Sequence, residues 1–110
     1  MNIFSDYFKN KFNYINSRFA EKNTQRGYDY NTEAMYSTLK LGEEYGELSE
    51  AVLTAIGHQR QSKLDEYKKE DIEGEIADVI IQTLVVADLF KIDVSKAILD
   101  KLEKLEKKLS

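Results

Sequence analysis

Cysteine is absent from the chain, which removes disulfides, thiolate metal sites and cysteine nucleophiles from consideration. Proline is absent too, and glycine occurs only five times in 110 residues. Little in the sequence breaks a long helix, so an all-α fold is the first expectation. One histidine, His58, leaves no basis for an imidazole-rich zinc or copper site. No apolar run is long enough to span a bilayer: the longest, about residues 79–90, is interrupted by Gln82, Thr83 and Asp88. Residues 1–6 lack the basic start and apolar run of a signal peptide. With a cysteine-free composition that suits a reducing compartment, these features lead to an expected cytoplasmic location and no membrane partner. The formal net charge of −4 disfavours a phosphate-backbone partner, so no nucleic acid is expected.

What is present suits one globular domain over residues 1–110: 42% of residues are hydrophobic and 33% are charged. A monomer of this size buries about 60–70% of the surface of its unfolded chain, so self-association would enlarge a marginal core. Apolar residues at Phe4, Phe8, Phe12, Ile15 and Phe19 recur at helical steps, predicting a core-facing helix over about residues 3–20. In a sharper reading, one of these rings stacks on a nucleobase. The polar stretch 22–31 reads as a loop, with Asn31 or Thr32 capping the next helix. That second helix is expected over about residues 32–56, with Met35, Leu39, Gly46, Leu53 and Ile56 near one face and Gly57 as its stop. Residues 58–70, with Leu64 and Tyr67 as their large apolar members, read as a loop or a short helix. A third helix, about 71–90, is apolar over more than half its circumference and is expected to be central and mostly buried. The last helix follows Lys91, Ile92 and Asp93, is capped by Asp93 or Ser95, and carries the stripe Ile98, Leu102, Leu105 and Leu109.

The anomaly is acidic. Glu43, Glu44, Glu47 and Glu50 crowd one stretch of the second helix, where like charges one turn apart destabilise by about 0.2–0.5 kcal/mol per pair. No lysine lies within residues 43–50, and only Lys40 is close. The third helix adds Glu75 and Asp78, three apart, with Asp78 set between Ala77 and Val79 in the most apolar helix. A buried carboxylate there requires compensation. Two helices that each offer two carboxylates one turn apart can converge on a hard divalent cation. An oxygen-only donor set points to magnesium, with manganese as a substitute.

These residues resemble the MazG-like family of all-α nucleotide pyrophosphohydrolases, whose pattern is EExxE followed by ExxD. Here the pattern is Glu43, Glu44, Tyr45, Gly46, Glu47 and then Glu75, Ile76, Ala77, Asp78. Lys40, Leu41 and Gly42 lead into the first motif, Leu48 to Val52 follow it, and Ile92, Asp93 and Val94 open the last helix as in relatives. The likeness covers about residues 35–108. It implies a four- to five-helix bundle assembled as a dimer or a dimer of dimers. It implies that Glu44, Glu47, Glu75 and Asp78 ligate the metal, while Glu43 holds a second ion or orients the attacking water. It implies Mg-dependent cleavage of a nucleoside triphosphate between the α and β phosphates, giving monophosphate and pyrophosphate. Many relatives carry an asparagine and a basic residue in the last helix. This chain has Asp100 there, with Lys101 and Lys104 as candidate phosphate contacts beside Lys40.

A di-iron four-helix protein needs Glu-x-x-His motifs, and position 55, three before His58, is alanine. A non-catalytic helical interaction module would use the aromatic first helix and the leucine stripe of the last as partner faces. Within the enzyme class, phosphoribosyl-ATP pyrophosphohydrolase and dUTP- or dCTP-specific hydrolases are related alternatives.

Overall fold

The computed structural model describes residues 2–57 and 69–110. Among these, four helices and no strands are present: α1 (Asp6–Gln25), α2 (Tyr30–Ala55), α3 (Lys69–Leu89) and α4 (Val94–Leu109). The expectations for His58, Leu64 and Tyr67 lie outside the described residues. Two compact units make up the chain. One comprises residues 1–33 and 87–110, and the other comprises residues 34–86.

The first unit is α1, the start of α2, the end of α3 and α4. Ser5 caps α1 by accepting a hydrogen bond from the Phe8 backbone N–H at 3.1 Å. The helix then runs to Gln25, five residues beyond the sequence expectation. Lys22 and Gln25 favour helix, and no proline or glycine interrupts the run before Gly27, whose φ of +78° makes the left-handed exit that glycine permits. Phe4, Phe8 and Phe12 form a ladder, with ring centroids 5.0 and 6.4 Å apart. No residue of α1 is buried, however, and Phe19 stays half exposed, so the expected core-facing helix is only partly covered. The Ile3 backbone N–H donates to Ser95 Oγ at 2.7 Å, joining positions 92 apart in sequence. Asn16 Nδ2 donates to Asp88 at 2.9 Å, and Tyr30 Oη donates to the Leu89 carbonyl at 2.9 Å. Tyr30 also meets Phe90 edge to face.

The cap of α2 is Asp29, not Asn31 or Thr32. Its carboxylate accepts from the Thr32 N–H at 2.8 Å, and its carbonyl accepts from Glu33 N–H. Asp29 is the better placed acceptor because an ionised carboxylate at a helix N-terminus also meets the positive end of the helix dipole. The Thr32 hydrogen bonds hold its carboxyl below the usual 3.8. A depressed carboxylate contributes stability above its unfolded pKa and loses it as pH falls through the folded value. Asp29→Ala is therefore expected to lower the melting temperature by several degrees at pH 7 and by much less near pH 2, whereas Asp29→Asn keeps the cap. Thermal melts of the three proteins at both pH values check this.

The second unit pairs most of α2 with most of α3. Gln82 Nε2 donates to the Ser37 carbonyl at 2.9 Å, and Gly57, at φ +87°, ends α2 as expected. The apolar residues of α2 share one face as expected, but that face is not the buried one, and the expectation of a mostly buried α3 is overturned. On α2 the buried residues are Glu44, Ala51 and Thr54, while Met35, Leu39, Leu53 and Ile56 are all exposed. At 100° per residue those four lie on the opposite side of the helix from Glu44 and Ala51. On α3, which the sequence places at the centre of a core, Leu84 and Ala87 are buried but Ile76, Ile80 and Ile81 are 41–51% exposed. Apolarity around a helix shows that it can be buried on every side. It does not show that one copy of the chain supplies every side.

At the other end, Asp93 caps α4 as expected, accepting from Lys96 N–H at 3.1 Å. Ser95 is buried in the first turn, and its hydroxyl serves Ile3 instead. The stripe Ile98, Leu102, Leu105 and Leu109 is exposed along its whole length.

Candidate metal centre

The acidic residues of the second unit come from consecutive turns of two helices. Glu43, Glu44 and Glu47 lie on α2, and Glu75 and Asp78 lie on α3. Glu44, Glu75 and Asp78 each offer a carboxylate oxygen within 4.8 Å of the others. Glu47 falls outside that group of three, yet its carboxylate reaches Glu75 as a hydrogen-bond partner. Glu43 is exposed and points its charge to Lys40, with Nζ–Oε2 at 3.6 Å.

Burial is distributed differently from the sequence expectation. Asp78 is exposed despite its apolar neighbours, while its carboxylate still reaches the oxygens of Glu44 and Glu75. Glu44 is the buried acid, at 7% exposure. Its Oε1 accepts from Lys40 Nζ at 3.1 Å, while its Oε2 is buried and has no hydrogen-bond partner. Glu75 Oε2 is buried without a partner as well. Unsatisfied buried carboxylate oxygens are costly and require a positive or hydrogen-bonding group that completes them.

The electrostatics point the same way. Burial first, and then the charges of Glu47, Asp78 and Glu44, push the Glu75 carboxyl above its ordinary value. Lys40 is held above its usual value by its hydrogen bond to Glu44 and by the surrounding acids. The three gathered oxygens on two helices, with no nitrogen or sulfur donor beside them among the described residues, fit a hard divalent cation held by oxygen ligands.

Lys101 and Lys104 belong to α4 in the first unit, and both are exposed. Asp100, standing where relatives carry asparagine, is paired with Lys96 at 2.8 Å and lies below its ordinary pKa. Sequence reasoning treated Lys40 as a nearby charge and did not see its direct bond to Glu44. The signal was there, since positions 40 and 44 are one helical turn apart.

An all-helical protein with a half-buried group of three carboxylates on two helices has the donor set of a divalent-cation site. The family model for the MazG nucleotide pyrophosphohydrolase domain matches residues 33–109, and the chain belongs to that family. The matched region contains both acidic motifs. Neither the curated proteins nor the solved structures contain a match to the chain.

Proposed function

We propose that the protein is a magnesium-dependent nucleoside triphosphate pyrophosphohydrolase, cutting between the α and β phosphates to release a monophosphate and pyrophosphate. The observation that carries this reading is the pair of buried, unpartnered oxygens of Glu44 and Glu75 in a three-carboxylate group that also includes Asp78. Glu44, Glu75 and Asp78 would hold the cation, joined by Glu47 from its place beside Glu75. When bound, a divalent cation supplies charge neutralisation and polarises phosphate oxygens. Manganese is the natural substitute.

The chain's own groups do the rest. Glu43, exposed and adjacent to the ligands, accepts a proton from a water and orients it toward the α-phosphorus. Lys40, beside the carboxylates, offers its ammonium group to the phosphates. Positioning and electrostatic stabilisation provide most of the rate in such phosphoryl chemistry.

The apolar stripe that α2 turns outward supports assembly as a dimer or a dimer of dimers, each copy being one functional domain. No described helix is long and apolar enough to cross a membrane, which accords with work in the cytoplasm on free nucleotides.

The test incubates the protein with each of the eight common ribo- and deoxyribonucleoside triphosphates, with magnesium and with EDTA. Monophosphate and pyrophosphate should form only with metal. Diphosphate and phosphate would place the cut at the wrong bond. Turnover confined to dCTP, or found only when dUTP or phosphoribosyl-ATP is added to the panel, would identify a specialist. A parallel melt should show magnesium at 100 times its dissociation constant stabilising the fold by about 2.7 kcal/mol. No turnover combined with no magnesium-specific stabilisation would instead identify a helical interaction module.

A further inference from the structure

The hydrogen bond between Lys40 and Glu44 makes the two oxygens of one carboxylate unequal. Oε1 receives the Lys40 ammonium at 3.1 Å, and Oε2 is buried and receives nothing. A carboxylate rotates freely about its last torsion unless something fixes it. In this structure Lys40 is what fixes Glu44. We infer that Lys40 is a positioning residue for the cation site: it holds one oxygen of Glu44 so that the other is already set to receive a metal ion. The inference rests on the metal-centre reading above and adds to the phosphate contact proposed for Lys40, since an ammonium has three N–H donors.

Two effects of Lys40 on a cation oppose each other. Its positive charge repels a divalent ion, and its hydrogen bond orders a ligand. The Lys40 side chain is 52% exposed, so water screens its charge. The Glu44 side chain is 9% exposed, so the loss of its single partner is felt in a poorly solvated place. Without Lys40 an ionised Glu44 would keep two unsatisfied oxygens in the interior, and it would turn away. That change removes a ligand. Ordering therefore outweighs repulsion. Glu43 is the weaker partner at 3.6 Å and is itself exposed, so it can release Lys40 without leaving a buried charge.

The experiment titrates manganese into the protein without nucleotide and counts free ion by electron paramagnetic resonance. Lys40→Met should raise the manganese dissociation constant about 10- to 100-fold, the usual effect of losing a group that orients a ligand. Lys40→Arg, which keeps a charged donor, should stay near wild type, and circular dichroism should show the same helix content in all three proteins. Lys40→Gln, a neutral donor, serves in place of the methionine variant if that one fails to fold, and should fall between the two. Unchanged or tighter binding in Lys40→Met would overturn the inference and make Lys40 a competing cation. A wild-type protein that binds no manganese would overturn both this role and the metal centre. Weakened binding in Lys40→Met with no turnover of any nucleotide would support the positioning role while sinking the nucleotide reading.

Discussion

Asp78→Asn and Glu75→Gln are each expected to lower turnover by at least about 100-fold, on the scale of losing one preorganised electrostatic group. Neither should reduce helix content. Each replacement has nearly the size and shape of the acid it replaces, and Asp78 is exposed. The more telling expectation concerns stability in EDTA. Glu75 sits with a buried oxygen among Glu47, Asp78 and Glu44, all of which resist its ionisation. Neutralising it relieves that repulsion, so metal-free Glu75→Gln should melt a few degrees above the metal-free parent. Adding magnesium should reverse the order, because the parent gains binding energy that the variant has lost. A crossing of this kind separates a functional carboxylate cluster from a solvated acidic surface. Near-normal turnover in both variants, or parallel melting shifts with and without magnesium, would remove the site assignment.

Leu39→Lys is expected to be nearly silent in an isolated chain and severe in the assembly. Leu39 is 58% exposed, and a lysine four residues before Glu43 forms a mildly favourable helix pair. If a second copy covers the outward stripe of α2, the same substitution places two lysines in an apolar contact related by symmetry. Burying a leucine contributes about 1.5–3 kcal/mol. Losing two such contributions would weaken a dimer by at least about 100-fold in dissociation constant. Light scattering behind size exclusion reads this directly, since one copy has a mass of 12.8 kDa. The parent should run at two or four times that mass, and Leu39→Lys should shift toward one copy with a melting point that depends on concentration. Gly42 and Gly46 fall in the same outward sector, with nothing within 4 Å of where a Cβ would stand, so a neighbouring helix could approach closely there. A monomeric parent, or an oligomer indifferent to Leu39→Lys, would refute this surface.

The helices were readable because their apolar spacing is regular and no proline interrupts it. The ends were less so. The α1 end moved to Gln25 because polar residues that favour loops in isolation also extend an existing helix until glycine stops it. The α2 cap moved to Asp29 because capping depends on which oxygen reaches an N–H, and three adjacent polar residues compete for that place. Glu44, Glu75 and Asp78 were legible as a cluster from their spacing on two helices. Their burial was not. Sequence neighbours suggested that Asp78 was covered, yet it is exposed and Glu44 is the buried acid, because coverage depends on which side of each helix meets the other. The outward turn of Met35, Leu39 and Leu53 was hidden for the same reason: periodicity identifies an apolar face without naming what lies against it.

The hydrogen bond from Ile3 to Ser95 closes a loop of 92 positions, and it has a consequence during synthesis. The second unit is a continuous stretch, residues 34–86, and its parts emerge from the ribosome together. The first unit is split across both ends of the chain. At roughly 5–20 residues per second, the N-terminal segment waits about 5–18 s for Ser95 to be made. The carboxylate-bearing half of the protein can therefore take shape while the aromatic ladder of α1 still awaits its final partner, and a translational pause after residue 86 would lengthen the life of that half-built chain.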